Sequence, residues 1–141
     1  MIEAKIQGLK ELDNILATMT RQVQGRALRQ SANAGAQVIK KEARSLVPVD
    51  TGLLRRNIIV ARSRRNSRPG KETYNITIRE GKKAKRGPNG RSAFYGYFIE
   101  RGTSKKSARP FLRPALQSKQ REALDAFKLK MMETLRKYGA R

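Results

Sequence analysis

The residues most suggestive of chemistry are Asp50, Thr51 and Gly52, in the stretch SLVPVDTGLLRRNI. Asp-Thr-Gly is the triplet that carries the catalytic carboxylate of aspartic proteases. Such an enzyme needs two carboxylates that share one proton, whereas this chain contains a single Asp-Thr-Gly triplet. We therefore expect Asp50 to cap the short turn from Leu53 to Arg56, and we do not expect it to cleave peptide bonds.

Other groups that could support catalysis are isolated from one another. The acids Glu72, Glu80 and Glu100 have no second acid at the spacing of a known motif. The chain has no Cys and no His, so it cannot form a disulfide, a Cys or His metal site, or a nucleophile paired with an imidazole. We expect Glu100 to form an ion pair with Arg101 or Arg109. The sequence predicts neither an enzymatic activity nor a cofactor.

The strongest compositional signal is positive charge. The 141 residues include 33 Lys and Arg against 11 Asp and Glu, a net charge of +22. This excess predicts a negatively charged partner, either an acidic protein surface or a nucleic acid. Two basic segments, about 62–71 and 81–92, have little apolar surface to bury and are predicted to be mobile until assembly orders them. The candidate residues that would face a partner or DNA are Arg62, Arg64, Arg65, Arg68, Lys82, Lys83, Lys85, Arg86 and Arg91.

Apolar residues at helical spacing predict three helices. The first follows Gly8, and the second runs from about Thr20 to Leu46, where Pro48 ends it. The third begins with Pro114 at its first helical position. Its apolar stripe comprises Leu116, Ala123, Phe127, Met131 and Leu135.

Alternating apolar residues predict a β-hairpin, with one strand at Ile58 to Val60 and the other at Tyr74 to Ile78. Ala4 to Gln7 could add an edge strand. The predicted fold is α+β: an antiparallel sheet of three or four strands with a long basic hairpin, packed against two long helices in a single domain, 1–141. No apolar run approaches the roughly 20 residues that span a bilayer, and no signal peptide is evident, so we expect no membrane partner.

Two blocks of the sequence, VPVDTGLLRRNI and YGYFIERGTSKKSARPFLRPAL, together resemble a known family. This is the gene-product-ten-like tail-component family of lambda-like tailed bacteriophages, whose members are also described as neck, head-tail joining or tail-completion proteins. The resemblance spans nearly the whole chain. The long basic hairpin tip and the 81–92 segment lie between the two blocks.

The resemblance implies a structural virion protein that is made and assembled in the host cytoplasm and acts at the head-tail joint as part of a ring. Its implied partners are phage connector, head-closure and tail-terminator or tail-tube proteins. It implies scaffolding roles for the turn before the hairpin and for the turn and helix start near the carboxyl terminus. These residues are Asp50, Thr51, Gly52, Gly102, Thr103, Ala108, Arg109, Pro110, Phe111 and Pro114.

The alternative function is that of a free-standing protein that binds nucleic acid without sequence preference. Within the ring, the basic segments could face packaged DNA or acidic protein partners, and the sequence does not decide between these two. It also leaves open the copy number, the ring symmetry and the host.

Overall fold

Two long helices account for most of the described part of the chain. The structure, a computed structural model, describes residues 3–5, 21–48, 52–79 and 96–138. The predicted helix after Gly8 and the segment 81–92 lie outside these ranges. In chain order the elements are β1 (Glu3–Lys5), α1 (Arg21–Leu46), α2 (Leu53–Asn57), β2 (Ile58–Arg62), β3 (Thr73–Ile78), α3 (Gly96–Arg101) and α4 (Leu112–Tyr138). The α+β class with long helices agrees with the sequence prediction.

Helix α1 packs along α4 through a stripe of small residues. The stripe lets the two backbones approach closely, because these side chains add little bulk between them. Its fully or nearly fully buried members are Ala27, Ser31, Ala32, Gly35 and Ala36. The helix ends at Leu46. Pro48 follows two residues later, as predicted, since the residue before a proline avoids helical geometry.

Helix α4 carries the predicted apolar stripe. Phe127 and Met131 are fully buried, and Ala123 and Leu135 are nearly so. The prediction that Pro114 is the first helical residue is wrong, because the helix begins at Leu112 and Pro114 is its third residue. Proline is tolerated there because a backbone N–H in the first helical turn has no partner within the helix.

The sheet has the strand order β1-β3-β2, with antiparallel pairing throughout. In the β2–β3 hairpin, Ile58 lies opposite Ile78 and Val60 opposite Ile76. On the other side of β3, Ala4 lies opposite Tyr74. Because side chains alternate between the two faces of a strand, Ile58 and Val60 share one face of the sheet with Tyr74, Ile76 and Ile78, and this face packs on the helices.

The described residues form a core of two apolar clusters. In one, Ile58 and Ile78 pack with Phe111 and Leu112 near the start of α4. In the other, Tyr74 packs with residues from the middle of α4 and the first half of α1. The Tyr74 hydroxyl donates a hydrogen bond to the Arg29 carbonyl at 3.2 Å, and burial raises the pKa of Tyr74. The two ends of β3 are therefore attached to different parts of the helix pair.

Candidate interaction surface

The turn that joins β2 to β3, residues 63–72, is called here the hairpin tip. Arg68 and Lys71 exchange two backbone hydrogen bonds, each 2.8 Å long, across Pro69 and Gly70. Gly70 has a φ of 81°. Proline at the second position of the turn and a left-handed glycine at the third are the preferences of a type II turn, so the local sequence explains this geometry.

Side-chain hydrogen bonds close the base of the hairpin tip. The Ser67 hydroxyl accepts the Thr73 N–H at 3.1 Å, and the Thr73 hydroxyl donates to the Asn66 carbonyl at 3.1 Å. Ser63 accepts the Asn66 N–H at 3.2 Å. The backbone is thus held in place while the cations Arg64, Arg65, Arg68 and Lys71 are exposed. The mobility proposed for segment 62–71 stays a prediction.

Arg62 differs from the other basic residues near the hairpin tip, because its charge is paired inside the protein. Its guanidinium binds both carboxylate oxygens of Glu72, with Nε–Oε2 and Nη2–Oε1 distances of 2.6 and 2.9 Å. The hydrogen bond to Glu72 is the main cause that raises the pKa of Arg62. A bidentate pair of this kind fixes both side chains. Although Arg62 is exposed as well, it is therefore less suited to bind a partner than Arg64, Arg65 and Arg68.

The junction between α3 and α4 is built around the carboxylate of Glu100. Oε2 accepts the N–H groups of Phe111 at 2.7 Å and Leu112 at 3.0 Å, and Oε1 accepts that of Arg113 at 3.1 Å. Pro114 has no N–H to satisfy. The predicted ion pair of Glu100 with Arg101 or Arg109 is wrong, since both carboxylate oxygens cap the amino terminus of α4.

Residues 102–110, between these two helices, form what we call the basic loop. Gly102 begins the loop with a φ of 79°, and its N–H donates to the Phe98 carbonyl at 2.7 Å. The Thr103 hydroxyl accepts the N–H of Lys106 at 3.0 Å. Arg109 donates its N–H to the Ile99 carbonyl at 2.8 Å. These bonds return the chain to α3 and bring Phe111 to Glu100.

The basic loop exposes positive charge that the sequence interpretation had not assigned to an interface. Every residue from Thr103 to Pro110 is exposed, as are the flanking Arg101 and Arg113. The cations are Arg101, Lys105, Lys106, Arg109 and Arg113. The nearest acid in sequence, Glu100, is used by the helix cap. The density of Lys and Arg in the block RGTSKKSARP is the sequence signal for this surface, whereas the family resemblance implies a scaffolding role for the block.

Gly102 should be more sensitive to substitution than Gly52, although both have a left-handed φ. A Cβ on Gly52 meets nothing within 4 Å, whereas one on Gly102 would lie 2.7 Å from the Ala108 nitrogen. We expect Gly52→Ala to cost about 1 kcal/mol of unfolding free energy for the backbone conformation alone. Gly102→Ala should cost about 2 kcal/mol because the loop must also shift. Urea denaturation of both variants checks this, and equal losses would contradict it.

The hairpin tip and the basic loop lie at opposite ends of β3. The hairpin tip is bonded to Thr73, the first residue of the strand. The basic loop lies near Ile78, the last residue, where Ile78, Arg101 and Ala108 line one pocket. A six-residue strand is roughly 17 Å long. The described part of the chain therefore presents two separate positive surfaces.

The remaining candidate residues have mixed outcomes. Gly52 has a φ of 76° and precedes α2 as its N-cap residue. Phe111 is buried, and Pro110 is exposed at the end of the basic loop. The other candidates lie outside the described residues: Asp50, Thr51, Lys82, Lys83, Lys85, Arg86 and Arg91. The proposed cap by Asp50 therefore stays a prediction.

Within residues 3–5, 21–48, 52–79 and 96–138, no cluster of acids has the arrangement of a metal site. In the same ranges, no helix has the length and apolar character needed to cross a membrane. Burial lowers the pKa of Lys40, with a further contribution from the nearby Arg44. In this part of the chain, the organised polar features are two basic surfaces and the caps that hold them.

An α+β domain that holds exposed cations on hydrogen-bonded turns has the features of a binding component of a larger assembly. The family comparison makes this specific. A family model described as "Bacteriophage HK97-gp10, putative tail-component" matches residues 10–102. The chain belongs to this family of structural phage tail components, which confirms the predicted resemblance and implies a place in the virion. Neither the curated proteins nor the solved structures provided a match.

Proposed function

We propose that this tail component acts at the head-tail joint as one copy of a ring that contacts a different neighbour on each side. Family membership supports a role in the tail. The observation that carries the proposal further is the separation of the hairpin tip and the basic loop at opposite ends of β3. A protein that joins two bodies needs two binding surfaces, and the described residues of this chain present two of the same sign.

Acidic protein surfaces are the partners that fit these two regions best. Each region holds its backbone by hydrogen bonds and exposes several cations. Because hydrogen bonds hold the backbone of each region, binding should cost less conformational entropy than ordering a loop that lacks such bonds. Complementary charge then accelerates encounter and rejects wrong partners. We assign one region to a connector or head-closure protein and the other to a tail-terminator or tail-tube protein.

Sequence-independent binding of nucleic acid is the second candidate. It is favoured by the exposed arginines Arg64, Arg65 and Arg68, since guanidinium groups bind phosphate well. Within the proposed ring, this activity would serve packaged DNA that passes the joint. As a free-standing activity, it would need no phage partner.

Phage particles made without this gene should accumulate as unjoined heads and tails, because the proposed ring lies between them. Negative-stain electron microscopy of lysates would count joined and separate structures. Supplying the parent gene from a plasmid should restore joined particles, which controls for effects on neighbouring genes. Joined particles of normal appearance in the absence of the gene would rule out the proposed function.

A further inference from the structure

The outer edge of β2 has backbone hydrogen-bonding groups that pair with no residue in the described part of the chain. The Arg79 N–H donates to the Asn57 carbonyl at 2.7 Å, and the Ser63 N–H donates to the Thr73 carbonyl at 2.8 Å. These bonds define the alternation of the β2–β3 ladder, in which every second residue of β2 faces β3. Val60 and Arg62 consequently direct their backbone N–H and C=O groups away from the sheet.

One end of this edge is closed. The Ile58 carbonyl accepts two hydrogen bonds from the Arg44 guanidinium, at 2.8 and 3.2 Å, and the Ile58 N–H donates to the Arg55 carbonyl. No residue in the described ranges pairs with the outward backbone groups of Val60 and Arg62. The open part of β2 is therefore short.

On the opposite side of the same sheet, β1 is a second edge strand, and no strand among the described residues pairs with its outer side. Tyr74 lies opposite Arg62 in the β2–β3 ladder and directs its backbone groups toward Ala4. Glu3 and Lys5, on either side of Ala4, must then direct theirs outward. On each edge, the two residues with outward-directed backbone groups are separated by one residue. The donors and acceptors of the two edges therefore have the same spacing.

We propose that the outer edge of β2 pairs with the outer edge of β1 from a second copy of this chain, so that the sheet continues from copy to copy. This inference rests on the ring proposed above. β1 and β2 are both antiparallel to β3, so they run parallel to each other. The rotation that relates neighbouring copies of the proposed ring would also leave β2 of one copy parallel to β1 of the next. In parallel pairing, Val60 bonds the two residues that flank Ala4, namely Glu3 and Lys5.

Charge also favours a second copy as the partner at this edge. Copies with a net charge of +22 repel one another over most of their surface. Along the open part of β2, Val60 is apolar and the charge of Arg62 is paired with Glu72. On β1, Glu3 and Lys5 carry opposite charges. Two locally neutral edges can approach, and directional backbone bonds then hold them in register.

Edge pairing between copies would also explain why both edges can be left open. Open edges promote uncontrolled association, and proteins usually protect them. In a heterologous contact, β2 of one copy pairs with β1 of the next, so both edge strands of every copy are paired once the ring closes. The edges are then protected in the assembled state.

Cysteine cross-linking can test this contact because the chain has no native Cys. Within one copy, β3 separates Ala4 from Val60, so their strands are about 9.5 Å apart, beyond the roughly 7 Å limit for a disulfide. Any bond formed in the double variant Ala4→Cys, Val60→Cys must therefore join two copies. Oxidation of the concentrated protein, or of assembled particles, should give a ladder of covalent multimers on a non-reducing gel.

The single-cysteine variants show which edges meet. Ala4→Cys alone and Val60→Cys alone should give no ladder. Strong dimer formation by Val60→Cys alone would indicate contact between two β2 strands and would overturn the proposal. Absence of a ladder from the double variant, in both the concentrated protein and particles, would also overturn it. Electron microscopy of the same particles reports joining separately, so joined particles without cross-links would reject this contact and leave the head-tail role standing.

Proline provides a second test that does not depend on side-chain register. Val60→Pro removes an outward N–H and spares the ladder to β3, so association between copies should weaken by about tenfold or more. Val60→Ala controls for the lost side chain and should associate like the parent. Ala61→Pro removes an N–H that faces β3 and should instead lower the melting temperature. Equal association of Val60→Pro and Val60→Ala, measured by analytical ultracentrifugation, would contradict the proposal.

Discussion

Glu100→Ala should lower the free energy of unfolding by about 3 to 4 kcal/mol. The carboxylate accepts three backbone N–H groups at the start of α4. Two of these donors belong to Phe111 and Leu112, which are buried, so water would not replace the lost acceptor without rearrangement. The negative charge of Glu100 is also attracted to the positive end of the α4 helix dipole, which adds to the stabilisation.

Glu122 provides a matched control for the Glu100 experiment. Glu122 lies in α4, the helix that Glu100 caps, and its carboxylate binds Lys119 at 3.0 Å, but its side chain is 62% exposed. Glu122→Ala should change stability by only about 0.5 kcal/mol or less. Glu100→Gln should fall between the two alanine variants, because the amide oxygen still accepts hydrogen bonds but carries no charge. Urea denaturation of the three variants measures the differences, and similar losses for Glu100→Ala and Glu122→Ala would refute the capping role.

Neutralising the basic loop should reduce the yield of joined particles by about a hundredfold if its partner is an acidic protein surface. The variant replaces Lys105, Lys106 and Arg109 with Gln. These side chains are exposed, and only the backbone of Arg109 takes part in the contact to Ile99. Circular dichroism should therefore show an unchanged fold. Plaque counts and electron microscopy measure the loss of joining.

A variant of the hairpin tip with the same change in charge separates the two partner classes. It replaces Arg64, Arg65 and Arg68 with Gln and removes three charges from the other end of β3. If the partners are proteins, each variant should impair joining while binding duplex DNA nearly as well as the parent. If DNA is the partner, each lost cation that contacts phosphate should flatten the salt dependence of binding by about one unit. A variant that joins normally but has lost most of its salt-sensitive DNA affinity would overturn the protein-partner assignment.

Local patterns in the sequence were sufficient to predict the long helices. The boundary at Leu46 follows from Pro48, and the buried stripe of α4 follows from apolar residues at helical spacing. Both signals act over a few residues and depend little on the rest of the chain. The absence of Cys and His likewise excluded whole classes of site without any structural information.

The resemblance of the two sequence blocks to phage tail components was also visible without a structure, and the family match over residues 10–102 confirms it. The residues that carry the second block were assigned to a scaffold. That assignment stays a prediction. In the structure, hydrogen bonds of Glu100 and Gly102 connect α3, the basic loop and the start of α4. The same block also exposes cations, which the sequence interpretation overlooked.

Only the tertiary structure could reveal how each charge is used. Glu100 is 11 to 13 residues before the N–H groups that it caps, and only the reversal of the chain at Gly102 brings them together. Arg62 is ten residues before Glu72, and the antiparallel hairpin makes them neighbours. The open backbone groups of β2 depend on which strands lie on each side of it. Periodicity reports which face of an element is buried, whereas the partner of a charge or a strand edge depends on contacts between residues distant in sequence, which no local pattern contains.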